Sequence, residues 1–486
     1  MSFKMSTTVA IRELMLKSDV KFGTSGIRGL VSEMSDELCY AYTLAFAQEL
    51  KLAPNSEVAI AVDLRPSSVR IATACHAALS SLGIKTHYFG SIPTPAVAFY
   101  AEQHQMPAIM VTGSHIPFDR NGIKFYSDEG EITKAHELAI TNAVLTYSEP
   151  IAYLDLPKTN PSAKEAYINR YVNFFPSNFL VGTTVAFYQH SSVARDLITG
   201  LLTTLGAKVI ALGRTESFVP IDTEAVSQED VEQAKRWATE NEFDVIISTD
   251  GDGDRPLIGD ENGQWLRGDI VGLLTSEYLG INALATPVSC NTAIELTGAF
   301  QTVKRTRIGS PYVIEAIKVL QTESFNKIAG FEANGGYILA TNIMNENARL
   351  EALCTRDAVL PILAVIALSK KKQCKISALM AQIPNRVTAS DRVKDFPIEK
   401  SNQLILELIN EPDKINGLLT EEIGRYASID HTDGLRITLT NNDIVHFRPS
   451  GNAPELRCYA ESNTNERAQF LVNTALKAIV DYSNKY

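Results

Sequence analysis

Short apolar, β-rich runs alternate with amphipathic stretches in three successive rounds along this chain, and that recurrence narrows its fold more than any other feature. In the first round, residues 57–62 read as a buried parallel strand. Residues 67–82 read as a helix, with Val69, Ala72, Cys75, His76 and Leu79 on one face and Gly83 as its stop. Strands at 85–89 and 107–111 and a helix at 95–103 complete the round. The second round places strands at 184–187, 208–212 and 244–248, with helices near 193–205 and 229–242. The third has strands at 287–290, 303–306 and 327–329, with helices near 270–278 and 312–320. Such alternation predicts parallel sheets carrying helices on both faces.

After the basic run Lys370-Lys371-Lys372 the pattern changes. Strands at 436–439 and 444–447 flank the turn signal Asn441-Asn442-Asp443, and a last helix spans 466–482. On the usual scale of about 150 residues per domain, the 486 residues divide into α/β units over 1–150, 151–255 and 256–370 and a smaller α+β unit over 371–486. The expected class is α/β: three similar domains with mixed, mostly parallel sheets, and a C-terminal α+β domain.

The net charge of −11 argues against nucleic acid or an anionic membrane as partner. An anionic ligand would need a local cluster of positive charge. Cys39, Cys75, Cys290, Cys354, Cys374 and Cys458 are scattered without a CxxC pair, as buried small hydrophobes in a reducing compartment would be. The longest apolar stretch, 358–368, contains Pro361 and falls far short of the ~20 residues a membrane span needs. It reads as a buried helix. With no apolar signal core at the N-terminus, the expectation is a cytoplasmic protein, monomeric or homodimeric.

Four polar, glycine-punctuated segments follow or bridge expected strands, at the strand ends where doubly wound sheets bind ligands. The first is Thr112-Gly113-Ser114-His115-Ile116-Pro117, continuing to Asn121-Gly122-Ile123-Lys124. A serine hydroxyl becomes a nucleophile only beside a base or a strongly polarising group, and His115 and Lys124 are the candidates for handling protons or phosphate. In the second, a strand runs into Asp250-Gly251-Asp252-Gly253-Asp254-Arg255. Carboxylates at i, i+2 and i+4 can converge on one hard cation, whereas a bare acidic turn would leave them repelling one another. A calcium-binding EF-hand loop would need glycine where Arg255 stands and a helix in place of the strand, so that reading fails. In the third, Gly330-Phe331-Glu332-Ala333-Asn334-Gly335-Gly336, a carboxylate and an amide suit neighbouring sugar hydroxyls. The fourth, Arg448-Pro449-Ser450-Gly451-Asn452-Ala453-Pro454-Glu455-Leu456-Arg457, is either a phosphate cradle with Arg448 as its fixed charge or a surface turn.

Together, in this order and spacing, the four segments resemble the α-D-phosphohexomutase family. The resemblance extends to the run from Lys21 through Arg28 to Gly29, to Asp63-Leu64-Arg65-Pro66-Ser67-Ser68 and to Ile92-Pro93-Thr94-Pro95. It implies four domains around a central cleft, and a mutase that interconverts hexose 6- and 1-phosphates (mannose or glucose) through a hexose 1,6-bisphosphate. By resemblance, Ser114 is the phosphorylated serine. Asp250, Asp252 and Asp254 hold Mg²⁺ against it, and Arg255 contacts phosphate. Lys124, His115 and Arg28 assist proton transfer or phosphate binding, with Lys124 as a base if its pKa is lowered or a neighbour relays the proton. Glu332 and Asn334 face the sugar, while Arg448, Ser450, Gly451, Asn452 and Arg457 take the phosphate that is not reacting. The chain departs from the family pattern at Ile116, usually asparagine, at Asn334, usually serine, and at Asn452-Ala453, often Thr-Glu. A glucosamine-phosphate mutase and a silent sugar-phosphate-binding protein are the alternatives, the second opposed by the intact serine and aspartates.

Overall fold

The computed structural model describes residues 5–23, 26–345, 348–450 and 454–485. It divides into two compact units: the chain up to Ile281 together with Gln321–Ser377, and Asn282–Leu320 together with the chain from Ala378 onward.

In the first unit, one sheet runs in the order Lys21–Phe22, Ile27–Leu30, Arg120–Ser127, Ala108–Val111, Glu57–Val62, Lys85–Ser91. Glu57–Val62 pairs in parallel with both Lys85–Ser91 and Ala108–Val111, while Arg120–Ser127 pairs antiparallel on either side. Val62 stands opposite Val111, so Asp63 and Thr112 leave the sheet side by side. The helices Asp36–Glu49 and Ser68–Ser81 pack on this sheet through Leu38, Phe46, Ile71, Cys75 and Leu79. Ser35 starts the former by accepting the Leu38 N–H, with Asp36 and Glu37 at its positive end. Val69 departs from expectation. It lies in the first turn, past the sheet, and is 51% exposed.

A second sheet has the order Lys208–Leu212, Thr184–Tyr188, Val245–Thr249, Pro256–Gly259, parallel except for the last pair. Thr249 faces Pro256, which makes Asp250–Arg255 the tip of a hairpin whose stem is wholly buried. Ile328–Phe331, Tyr337–Leu339 and Leu353–Asp357 form antiparallel pairs, so residues 332–336 are likewise a hairpin turn. The apolar helix forms as expected over Val359–Lys372, with 359–368 buried. Pro361 sits in its first turn, where no intrahelical N–H is needed, and three lysines complement its last turn. Among the described residues, no helix is long and apolar enough to cross a membrane.

In the second unit, Ala283–Pro287 and Thr302–Thr306 pair in parallel. The strand expected at 287–290 is a correction. It runs over Ala283–Pro287, carries one further bond from the Val288 N–H to the Thr306 carbonyl (2.9 Å), and then turns, with the Cys290 N–H returning to the Pro287 carbonyl (3.0 Å). Five antiparallel strands follow, in the order Val387–Lys394, Glu455–Ser462, Ile444–Pro449, Leu435–Leu439, Tyr426–Asp430. Leu404 and Leu408 of helix Ile398–Asn410 and Leu471 and Ile479 of helix Asn465–Lys485 share a core with Ile437 and Phe447 of this sheet. Asn442 takes φ 65 in the expected hairpin turn. Mixed α/β sheets followed by a C-terminal α+β sheet agree with the expected class, and none of the six cysteines is in a disulfide.

Candidate active site

Ser114 lies three residues beyond strand Ala108–Val111, fully buried, with φ 53. A non-glycine residue in that left-handed region costs about 1–3 kcal/mol and persists only where its surroundings impose it. Those surroundings are explicit. The Ser114 N–H donates to Thr112 Oγ1 (2.8 Å), whose hydroxyl donates to Asp63 Oδ2 (2.8 Å). Asp63 also pairs with Arg65, whose guanidinium donates to the carbonyls of Ser114 (3.0 Å), Ile116 (2.5 Å), Pro117 (2.7 Å) and Arg120 (2.9 Å). Gly113 is required beneath that clamp, since a Cβ there would stand 2.6 Å from the Arg65 guanidinium carbon.

The Ser114 hydroxyl donates to Asp250 Oδ2 at 2.5 Å. The close approach of the two loops needs Gly251, where a Cβ would lie 2.7 Å from the Ser114 carbonyl oxygen. Asp250, Asp252 and Asp254 are all fully buried, and one oxygen from each lies within 4.8 Å of the others. Asp250 Oδ1 is tied to the backbone N–H groups of Asp254 and Arg255. Asp252 Oδ2 accepts from Lys124 (2.6 Å) and Thr94 (2.5 Å). Asp254 Oδ2 accepts from Lys124 (2.7 Å) and Arg356 (2.9 and 3.2 Å). Asp252 Oδ1 and Asp254 Oδ1, although buried, accept no hydrogen bond among the described residues. Oxygen-only donors with free lone pairs in a buried, acidic group suit a hard dication, so the residues present fit Mg²⁺.

Electrostatics follow the crowding. Burial and then the charges of Asp252 and Asp254 push the Asp250 carboxyl well up, while Ser114 and Arg255 oppose the shift. Burial would lower Lys124, but Asp252 and Asp254 outweigh it and raise its pKa. In this arrangement the two carboxylates hold the Lys124 ammonium in its charged form. Burial, followed by Arg255 and Arg28, drives His115 down to about 2. Its neutral ring takes a hydrogen bond from Arg255 Nη1 at 2.8 Å and lies 3.3 Å from the Ser114 hydroxyl. Arg28 is lowered to about 10 by burial and by repulsion from Arg255 and Arg356, which places all three guanidinium groups in one neighbourhood. Glu332 meets them through Arg356 Nη1 at 3.2 Å. Asn334, also buried, spends its amide oxygen on the Gly336 N–H (2.9 Å), closing the hairpin turn.

Thus Ser114, His115, Lys124, Arg28, Asp250, Asp252, Asp254, Arg255 and Glu332 gather in the first unit. The last expected segment belongs to the second. Arg448 donates to Asp433 Oδ2 (2.8 Å) beside a cavity of about 240 Å³ lined by Arg307, Tyr312, His431 and Gly434. Ser450 is buried, with its N–H on the Glu455 carbonyl, and Arg457 lies 3.9 Å from Glu455. Gly451 and Asn452, like Thr24 and Ser25 of the Lys21–Gly29 run, lie outside the described residues.

Arg356 escaped sequence reasoning, and Asp63, Arg65 and Thr94 stood out only as parts of family-like stretches, without a role. The signal available for Arg356 was its place: Arg356-Asp357 closes a strand just before an apolar helix, where buried charges must be paired.

Family profiles described as phosphoglucomutase/phosphomannomutase, alpha/beta/alpha domains I, II and III match residues 19–150, 165–263 and 267–387. The chain is 48% identical over 469 residues to a phosphomannomutase of Salmonella muenchen, covering 96% of this chain and 97% of that one. It is 41% identical over 468 residues to a phosphomannomutase of Sinorhizobium fredii, covering 94% and 98%. In fold it resembles the crystal structure of a putative phosphomannomutase from Thermus thermophilus, with a TM-score of 0.75 at 19% identity and coverage of 95% and 99%.

Proposed function

We infer the reaction path from one premise: the chain belongs to the phosphoglucomutase/phosphomannomutase family and is a hexose-phosphate mutase. The path runs through Ser114. In the loaded enzyme the Ser114 oxygen carries a phosphoryl group. A hydroxyl oxygen of the bound hexose monophosphate attacks that phosphorus, the Ser114 Oγ–P bond breaks, the proton of the attacking hydroxyl passes to the departing Ser114 oxygen, and a hexose 1,6-bisphosphate forms. After the sugar turns end for end, Ser114 Oγ takes the other phosphoryl group, its proton passes to the sugar oxygen released, and the isomeric monophosphate leaves. Mg²⁺ held by Asp250, Asp252 and Asp254 would supply the Lewis acidity that phosphoryl transfer needs.

The remaining residues act by position and charge. Arg255, Arg28 and Lys124 keep positive charge close to the serine, which answers the net charge of −11 and favours the developing charge on the transferred group. Neutral His115 is held by Arg255 next to the Ser114 hydroxyl. Glu332 is the sugar-hydroxyl acceptor, and Arg448, Ser450, Gly451, Asn452 and Arg457 take the distal phosphate. Chain segments 1–150, 151–255, 256–370 and 371–486 each contribute one of these loops. The protein works in the cytoplasm, as a monomer or homodimer.

The observation that carries this reading is the Ser114 hydroxyl 2.5 Å from Asp250, in a buried triad whose other two members keep open oxygens. The two phosphomannomutases named above favour mannose phosphate as the preferred sugar. Relative kcat/KM for mannose, glucose and glucosamine 1-phosphates, with Mg²⁺ and a trace of 1,6-bisphosphate, tests it. Mannose 1-phosphate is expected to lead, and a clear preference for the glucosamine sugar would reject the assignment.

A further inference from the structure

Glu332 and Asp254 stand on different hairpin turns and share one partner. Arg356, at the end of strand Leu353–Asp357, donates through Nη1 to Glu332 Oε2 at 3.2 Å. Through Nη2 and Nε it donates to Asp254 Oδ2 at 2.9 and 3.2 Å. The residue is 1% exposed, so this is an enclosed bridge and not a solvated pair that salt could screen. Gly336 shapes the sugar-side turn around it, because a Cβ there would stand 2.6 Å from Arg356 Cδ. Its neighbour Asp357 fixes the strand end, accepting from Tyr167 (2.6 Å), Arg170 (3.0 Å), Tyr171 and the Val359 N–H (2.9 Å). The bridge therefore has little freedom to move as a whole. Burial opposes the Arg356 charge, but Asp254, Glu131 and Glu332 together hold its pKa well above the ordinary value.

A guanidinium between two buried carboxylates divides its attraction between them. If Glu332 loses its charge, the whole guanidinium turns to Asp254 and competes there with any cation. If a dication draws on Asp254, more of the guanidinium is left for Glu332. We propose that Arg356 is a positioning residue that couples the sugar turn to the metal turn, so that the carboxylate at Glu332 strengthens cation binding by Asp250, Asp252 and Asp254, and a cation there strengthens the Arg356–Glu332 pair. This rests on the mutase reading of both turns. It concerns a residue outside the four family segments, and its sequence setting carries no motif.

The test is a double-mutant cycle read by Mn²⁺ binding, not by turnover. Wild type, Glu332→Gln, Arg356→Met and the double variant are stripped with EDTA, dephosphorylated and titrated with Mn²⁺ by electron paramagnetic resonance, with thermal melts to establish folding. Glu332→Gln is expected to weaken Mn²⁺ binding about 5-fold in the wild-type background and by less than about 2-fold beside Arg356→Met, which is a coupling of the size neighbouring residues show. Equal effects in both backgrounds, or none in wild type, overturn the coupling while leaving the metal site standing. Wild type that binds no Mn²⁺ overturns the metal reading and the coupling with it. Should Arg356→Met fail to fold, Arg356→Lys replaces it: one nitrogen stands where three donors served two carboxylates. Full coupling in that variant would refute the two-ended bridge.

Discussion

The Arg65 guanidinium donates to the Ser114 carbonyl at 3.0 Å, while the hydroxyl of the same residue donates to Asp250 at 2.5 Å. The same fork takes the carbonyls of Ile116, Pro117 and Arg120, and it lies over the Phe218 ring, 3.8 Å from its centre. The left-handed backbone of Ser114 is thus imposed by a buried cation that is itself held by Asp63. Arg65→Met would leave these carbonyls without their donor and the Asp63 carboxylate without its cationic partner. A loss of about 3 kcal/mol is expected, the scale for breaking a buried charge pair. Urea unfolding gives the stability. Steady-state kinetics should show kcat reduced about 10-fold or more at nearly constant KM, since the clamp orients the serine without touching the sugar. A variant with wild-type kcat would mean that the serine loop keeps its shape unaided.

Ser114→Ala removes the oxygen that carries the phosphoryl group. Intact-mass spectrometry of the purified variant is expected to lack the one-phosphate increment found on wild type. Turnover should fall by at least about 10³-fold, as it does when a covalent nucleophile is lost. Wild-type turnover by this variant would exclude Ser114 as carrier.

Removing the metal should silence the enzyme reversibly. After EDTA treatment, activity is expected to vanish and to return on addition of Mg²⁺. Asp252→Asn gives up one charged ligand while keeping an oxygen for Lys124 and Thr94 to bond. The Mg²⁺ concentration for half-activation is expected to rise by about 10–100-fold, at least the cost known for partners one shell further out. Activity that survives chelation would contradict the assignment of the triad.

The serine and aspartate loops were legible because each joins a strand end to residues that chemistry requires at fixed short spacing. Glycines make room there: at Gly113 for Arg65 and at Gly251 for the Ser114 carbonyl. Arg65 and Thr94 lay within recognisable stretches, yet their tasks were invisible. A clamp on four carbonyls depends on the parallel register that sets Val62 against Val111, and the Thr94–Asp252 bond spans 158 residues. Arg356 serves Asp254 from 102 residues away, with no local periodicity to mark it. The misplaced strand at 287–290 shows the converse limit. In Ala283-Leu284-Ala285-Thr286-Pro287-Val288-Ser289-Cys290 every residue is small or apolar, so patterning alone did not locate the strand's end, which the turn from the Cys290 N–H back to the Pro287 carbonyl marks.

Acid should weaken the fold through two buried histidines. Burial pushes both His190 and His446 down to about 4, although each ring lies against a backbone carbonyl, that of Thr249 at 2.9 Å and that of Asp433 at 2.5 Å. Both are enclosed, at 0% and 1% exposure. In the unfolded chain a histidine takes its proton near pH 6.5, whereas the native imidazole stays neutral until about pH 4. Between those values the unfolded state binds the extra proton, so stability rises with pH there and is complete above 6.5. Each histidine then costs about 2 kcal/mol when the pH is brought from 7.5 to 5, and about 3 kcal/mol by pH 4, at 1.36 kcal/mol per unit. Urea midpoints across that range should fall steadily in wild type. In His446→Asn the slope should lessen by one histidine's share, because the replacement has no proton to gain. A midpoint that stays level from pH 7.5 to 5 would show that these rings are not held neutral by the fold.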